Sequence, residues 1–259
     1  MGVQEKKPSA LYRLIKWIVK CFYPKIQVVG AEKLPEGAAV IVGNHSQMNG
    51  PIACELYTPG KHYVWCAGQM MQLEEVPGYA YHDFWSEKPK WLRPFYKLLS
   101  YVIAPLSVCV FNNANTIGVY HDTRILATFK QTVQRLQEGA KIVIFPEYGV
   151  QYNHIVCQFQ DRFIDVAKLY YKRTGQRLGF VPMYLTPARK EMHYGNPIYF
   201  CPENSADAER ERICKELMDE ITRMAVSLPE HKIVPYKNVP RKQYVSNKSE
   251  ERINEKTGD

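Results

Sequence analysis

The sequence lacks the cysteine pattern of a disulfide framework or a zinc site. Its seven cysteines are spread from Cys21 to Cys214 with no CxxC pair, and their number is odd. Small disulfide-bonded domains need paired cysteines, and structural zinc sites need closely spaced ones. The cysteines therefore argue against both classes of protein, and we expect a reducing compartment.

The N-terminal region lacks a long uninterrupted apolar run. The opening MGVQEKKPSA contains an acidic residue and no small-residue cleavage site, so we expect no secretory signal. The following LYRLIKWIVKCF is amphipathic and basic, and it is shorter than the roughly 20 apolar residues that span a bilayer. We predict that residues 1–26 hold an interfacial helix, with an ordinary helix packed on its own domain as the alternative.

The composition fits a folded chain with an anionic partner. The chain has 259 residues, of which 46% are hydrophobic, so it can bury a substantial core. A net charge of +8 and eighteen tyrosines favour a nucleic acid or an anionic membrane as partner. A basic, solvated surface with no such partner would have the same composition.

Short apolar runs alternate with helical patterns along most of the chain. Strands are predicted at 38–44, 63–68, 107–111, 141–147 and 180–185. Helices are predicted at 121–139, 161–175 and 207–226, the first two ending at a glycine. This alternation predicts a single α/β domain over residues 27–234, with a mixed, mostly parallel sheet covered by helices. Residues 235–259 are polar and charged, and we predict a flexible tail there.

Polar residues that could take part in catalysis or binding follow several of the predicted strands. Asn44 and His45 come after the first strand, Asn112 and Asn113 after the third, and Glu147 after the fourth. Ligands of α/β sheets bind beyond the carboxyl ends of the strands. A histidine there titrates near neutrality and suits the role of a general base, although an Asn-His pair could also simply cap a helix.

The order of these segments resembles a known family. GNHSQMNGP, VCVFNNAN, IFPEYG and FVPMY follow one another, at matching separations, like the four motif blocks of the glycerolipid acyltransferases, which include the lysophosphatidic acid acyltransferases. The resemblance covers roughly residues 27–225. It implies a glycerol-3-phosphate acyltransferase-like fold and transfer of an acyl chain from acyl-CoA or acyl carrier protein to a lipid hydroxyl.

The resemblance also implies roles for residues and partners. His45 would be the general base, Asn44 would lie near the oxyanion, and Glu147 would bind the acceptor or orient His45. Asn112, Asn113, Tyr148 and Gly149 would complete the acceptor site. The expected partners are the acyl donor, a lysolipid-type acceptor and an anionic membrane surface, with no nucleic acid. No metal or organic cofactor is expected, because the thioester supplies the driving force, and the expected location is the cytoplasmic face of a membrane.

The sequence departs from the family in three blocks. The aspartate that follows the NH pair and orients the histidine is replaced by Gly50. The arginine that ends the second block is replaced by the Asn112-Asn113 pair, and FPE is followed by Tyr148 rather than by Gly, Thr and Arg. Two phosphate-binding arginines are therefore missing from their expected places.

Three interpretations of these departures remain open. His45 is oriented by another group, either the Asn49 amide oxygen or a carboxylate such as Glu147. Alternatively, the acceptor carries no simple phosphate, and Asn112 and Asn113 bind a neutral head group. In the third interpretation the protein is a non-catalytic descendant that binds lipid or a membrane surface.

A second segment with interfacial composition lies at residues 88–106. KPKWLRPFYKLLSYVIAPL interleaves four cationic residues with four aromatic ones, the composition of a segment at the lipid headgroup level. The same composition suits stacking on single-stranded nucleic acid. The order of the four blocks favours lipid.

Overall fold

The computed structural model describes residues 7–86 and 88–249. By its internal contacts the chain divides into two compact units, which are described in turn. Unit 1 comprises residues 1–24 and 64–131, and unit 2 comprises 25–63 and 132–259. The predicted boundaries at 26/27 and 234/235 do not coincide with this division.

Unit 2 holds most of the strands of the described part of the chain, together with its longest helix. Its strands are β1 (Gln27–Val29), β2 (Ala39–Gly43), β5 (Lys141–Ile144), β6 (Glu147–Gln151), β7 (Cys157–Phe159), β8 (Gly179–Thr186), β9 (Glu191–Tyr194) and β10 (Ile198–Tyr199). Its helices are α2 (Asn49–Tyr57), α6 (Asp165–Thr174) and α7 (Ala206–Ser227). The order within its larger sheet is β1-β9-β8-β2-β5, with β10 also on β8, while β6 and β7 form a separate pair.

The centre of this sheet is parallel and buried. β2 lies between β8 and β5 and is parallel to both. Every residue of β2, β5 and β8 is buried, which fits their continuous apolar sequences and the covering of both sheet faces. β8 pairs antiparallel with β9 and β10, and α7 packs on β8 through its apolar side. The predicted α/β class, with a mixed, mostly parallel sheet covered by helices, is confirmed.

Unit 1 is mainly helical. Its helices are α1 (Ala10–Phe22), α3 (Val76–Ala80) and α4 (Arg93–Asn113), and α3 continues as a π-helical turn over Tyr81–Trp85. β3 (His62–Ala67) enters it from unit 2, and residues 64–67 pair parallel with β4 (Thr116–Val119). α5 (Ile125–Gln137) begins in unit 1 and ends in unit 2. The core of unit 1 forms where α3 packs on α4, around Val76, Ala80 and Ala104.

Two predictions about local structure are wrong. Residues 107–111 are not a strand but the last turns of α4, because this β-branched run continues a longer helical pattern. The predicted tail is ordered as far as Ser249: Ser246 and Asn247 are buried, and Ser246 pairs with Lys232, which precedes the tail, in an antiparallel bridge. Buried polar contacts of this segment replace the apolar periodicity that the prediction looked for. Residues 250–259 lie outside the described residues.

Candidate active site

The turn between β2 and α2, residues 44–48, is here called the histidine turn. It places His45 at the carboxyl end of the central parallel strand. Ser46 and Gln47 both have positive φ, 47° and 56°, although neither is glycine. Non-glycine residues in this left-handed region are strained, and such strain is concentrated at functional sites. The unusual backbone directs the main-chain carbonyl of Gln47 toward the ring of His45.

The imidazole of His45 is oriented by that carbonyl. His45 Nδ1 forms a short hydrogen bond with the main-chain oxygen of Gln47. A carbonyl oxygen can only accept, so Nδ1 carries the proton, and in the neutral ring Nε2 then carries the lone pair. The half-buried ring also meets the edges of Phe145 and Tyr236, with centroid distances of 5.3 and 5.9 Å. This arrangement fixes both the tautomer and the direction of a candidate base.

Asn49 and Glu147, the two groups proposed to orient the ring, both form hydrogen bonds to the main chain of the turn. Asn49 Nδ2 donates to the carbonyl of Ser46 at 2.9 Å. Glu147 Oε2 accepts the main-chain N–H of His45 at 2.5 Å, and its Oε1 accepts that of Cys157 at 2.9 Å. The glutamate of the FPE segment thus ties the histidine turn to β7.

Burial dominates the electrostatics of Glu147. Its side chain is 5% exposed, and this burial raises the pKa of the carboxyl to about 7, although the two N–H donors act in the opposite direction. The two backbone hydrogen bonds explain why a carboxylate is tolerated here at all. Glu147 therefore changes its charge near neutral pH within hydrogen-bond distance of the histidine turn.

Asn44 connects the turn of His45 to β8 through side-chain hydrogen bonds. Its amide N–H groups donate to Ser46 Oγ at 2.7 Å and to the carbonyl of Leu185 at 3.0 Å, and its oxygen accepts the N–H of Leu185 at 2.7 Å. Both N–H groups donate within the protein, so the residue fastens the histidine turn to β8. The position of Asn44 near the oxyanion stays a prediction.

The remaining predicted residues fall in two places. Tyr148 and Gly149 follow Glu147 on β6 and are exposed. Asn112 and Asn113 belong to unit 1, at the end of α4. There Asn112 Nδ2 donates to the carbonyl of Met71 at 2.9 Å, and Asn113 Oδ1 accepts the N–H of Ser9, the N-cap of α1, at 2.8 Å. In the structure, this pair connects the end of α4 to Met71 and to the start of α1.

Three residues that contact His45 or its turn are absent from the site predicted from the sequence. Gln47 acts through its main chain, which has no residue-type signature. Tyr236 and Tyr244 lie in the segment predicted to be a flexible tail, and Tyr244 Oη accepts from Gln47 Nε2 at 3.2 Å. The two aromatic residues in that otherwise polar segment were the available signal.

Comparisons with known proteins find likeness to solved structures but no match to a family model. No family model matches the chain, and no curated protein matches it at a significant level. Among solved structures, the chain is similar to the crystal structure of the 1-acyl-sn-glycerophosphate (LPA) acyltransferase PlsC from Thermotoga maritima. The two share 15% identity with a TM-score of 0.40, over 82% of this chain and 80% of that one.

Proposed function

We propose that the protein transfers a fatty acyl chain from acyl-CoA or acyl carrier protein to a hydroxyl of a (lyso)glycerolipid-type acceptor at a membrane surface. The observation that carries the proposal is the fixed tautomer of His45. With Nδ1 donating to the Gln47 carbonyl, Nε2 is the nitrogen that can accept a proton from a hydroxyl. The order of the four sequence blocks supports the choice of acyl transfer as the reaction.

The chemistry requires a base and a polar site for the oxyanion. His45 Nε2 takes the proton as the acceptor oxygen attacks the thioester carbonyl, and a tetrahedral oxyanion forms. Its collapse breaks the C–S bond, and the imidazolium returns the proton to the leaving thiolate. The thioester supplies the driving force, so this reaction draws on no metal or organic cofactor.

The Gln47 carbonyl would take the part of the family's aspartate. A carboxylate both fixes the tautomer and stabilises the imidazolium through its full charge, whereas a carbonyl offers only a dipole. We therefore expect turnover below that of a site with a carboxylate partner.

The exposed surface of unit 1 supports work at a membrane. α1 exposes Trp17 and Phe22, and α4 exposes Trp91, Leu98 and Val102, with 63–87% of each side chain accessible. The stretch 90–113 is also long and apolar enough to cross a membrane, by length and composition alone, and 17% of its apolar window is buried. We propose peripheral or monotopic attachment at the cytoplasmic face through these two helices.

The test is release of free thiol from a long-chain acyl-CoA and from an acylated carrier protein, each with and without lysolipid acceptors. We expect acceptor-dependent release by the wild type and a loss of at least about 100-fold in His45→Ala, the usual range for removal of a general base. His121→Ala is the matched control, since His121 is an exposed histidine. Acceptors with and without phosphate show whether phosphate is recognised.

A lipid-binding protein without catalysis is the second candidate. The observation that favours it is Gly50, which leaves the family's orienting carboxylate absent from its position. If wild type and His45→Ala release no thiol with either donor but bind vesicles equally well, this second function replaces the first.

A further inference from the structure

Residues 231–247 form a closed loop, here called the C-terminal loop. Its base is fixed by Asn247, which is fully buried and accepts the N–H of His231 at 2.8 Å. The amide of Asn247 also donates to the carbonyls of Ala225 and Leu228 at 2.9 and 3.2 Å, just at the end of α7. Ile233 N–H donates to Val245 at 2.9 Å and joins the two sides of the loop.

A second buried contact ties the base of the loop to the central sheet. His231 Nδ1 lies 2.8 Å from the carbonyl of Pro229, which can only accept, so Nε2 accepts from the hydroxyl of Tyr184 at 2.8 Å. Tyr184 lies on β8, the strand to which Asn44 fastens the histidine turn. The loop and the turn are therefore anchored to the same strand.

The far side of the loop contacts the histidine turn directly. Gln47 Nε2 donates to the main-chain carbonyl of Lys237 at 3.3 Å and to Tyr244 Oη at 3.2 Å. The ring of Tyr236 meets the imidazole of His45 edge to face. Gln47 thus donates hydrogen bonds to the loop from its side chain and accepts one from His45 with its main-chain carbonyl.

We propose that the C-terminal loop is a positioning element of the acyl-transfer site, in which Tyr244 and the Lys237 carbonyl hold Gln47 so that its own carbonyl stays on His45 Nδ1. The inference rests on the proposed function for its effect on turnover. Gln47 has a positive φ, which an isolated glutamine adopts rarely, so contacts from outside the turn must maintain it. The two hydrogen bonds to its amide are such contacts.

The inference makes Tyr244 and Gln47 positioning residues that act as one unit. Tyr244→Phe removes the hydroxyl and keeps the ring, and Gln47→Met removes the amide and keeps the main-chain carbonyl. We expect Tyr244→Phe to lower kcat about fivefold, the usual effect of one hydrogen bond, with KM within about twofold of wild type. Gln47→Met loses the bonds to both Tyr244 and Lys237 and should lower kcat by at least as much. The double variant should be no slower than Gln47→Met, because the bond that Tyr244→Phe removes is already absent there.

A spectroscopic measurement tests the inference without using activity. ¹⁵N-labelled histidine distinguishes a ring protonated at Nδ1 from one protonated at Nε2, and His45→Gln identifies the signal of His45. We expect the Nδ1–H form in the wild type and a larger share of the Nε2–H form in Tyr244→Phe and Gln47→Met. Tyr199→Phe, which changes an exposed tyrosine on β10, should match the wild type.

The outcomes separate the two proposals. Wild-type tautomer and wild-type kcat in both variants would overturn the inference and make the loop a simple cover. A wild type that transfers no acyl group, yet loses its Nδ1–H form in the variants, would contradict the proposed function and support the positioning link. Unchanged tautomers in an inactive protein would contradict both.

Discussion

At the residue scale, Gly50 occupies the position where the resembled family has an aspartate. A Cβ atom added there would lie 2.6 Å from the carbonyl oxygen of His45 and 2.7 Å from Phe145 Cε1. Distances this short force the main chain or the ring of Phe145 to move. The local packing of this turn therefore has no room for the family's carboxylate, and the Gln47 carbonyl is the partner that the fold supplies.

Introducing an aspartate at position 50 should lower the stability of the protein. We expect Gly50→Asp to lower the free energy of unfolding by about 1–3 kcal/mol, the usual cost of overpacking, as measured by urea denaturation. Gly37→Asp is the matched control, because nothing lies within 4 Å of a Cβ at that position. Equal stability of the two variants would contradict the explanation by packing.

The titration of Glu147 should appear in the stability of the protein. Burial raises the pKa of Glu147 from 4.5 to about 7, so the folded state binds this proton more tightly than the unfolded chain. The resulting stabilisation is complete below pH 4.5 and is lost as the pH rises through about 7. Relative to Glu147→Gln, the wild type should lose about 3 kcal/mol of unfolding free energy across this range, at about 1.4 kcal/mol per pKa unit.

Urea denaturation at a series of pH values measures this difference. Glu36→Gln, at an exposed glutamate, should leave the pH dependence as in the wild type. A difference between wild type and Glu147→Gln that is constant or grows with pH would contradict the assignment.

The sequence predicts the histidine and the glutamate of the site but not how they are connected. Residue types at strand ends pointed to His45 and Glu147. The partner of Nδ1 is a main-chain carbonyl in a turn whose positive φ values fall on a serine and a glutamine. These residue types do not by themselves predict a left-handed backbone. A contact made by the main chain becomes visible only in the structure.

At the element scale, α4 shows how local patterns mislead. The run SVCVF has the β-branched composition of a strand, but it continues the pattern of the residues before it, and the helix runs unbroken through Pro105 to Asn113. Asn112 and Asn113 consequently end a helix in unit 1 instead of following a strand. The element predictions that succeeded had longer periodic patterns or complete burial, as in α7 and β2.

The exposed side of α4 should bind membranes. Leu98 is 65% exposed, and a charge at this position would oppose its transfer into the lipid interface. We expect Leu98→Glu to weaken sedimentation with anionic vesicles by at least about tenfold in partition coefficient. Gln131→Glu adds the same charge at an exposed position of α5 and should have little effect.

A result in which both variants bind vesicles like the wild type would exclude this face of α4 as the lipid contact. Circular dichroism of Leu98→Glu should match the wild type, since the side chain is mostly exposed and its replacement disturbs little packing.

At the scale of the whole molecule, the residues to which the sequence assigns candidate functions are divided between the two units. His45, Glu147 and the C-terminal loop belong to unit 2, whereas the exposed aromatic helices belong to unit 1. Local sequence patterns identify His45, Glu147 and the two aromatic segments, but they predict a flexible tail where the C-terminal loop lies. The assignment of chain segments to compact units depends on contacts between distant residues, such as those of Asn247 with the end of α7, and no local pattern encodes these.

The net charge of +8 should make membrane binding depend on lipid charge and salt. Basic residues near a membrane gain about 1 kcal/mol each from anionic lipid, and salt screens this attraction over a Debye length of about 8 Å at physiological ionic strength. We expect binding to vesicles with phosphatidylserine to exceed binding to pure phosphatidylcholine, and to weaken as sodium chloride rises from about 0.05 to 0.5 M.

A remaining, salt-independent part of the binding should persist in the wild type and be lost in Leu98→Glu, because burial of apolar side chains is not screened. Binding that ignores both lipid charge and salt would show that the basic surface plays no part and that α1 and α4 attach the protein by apolar contact alone.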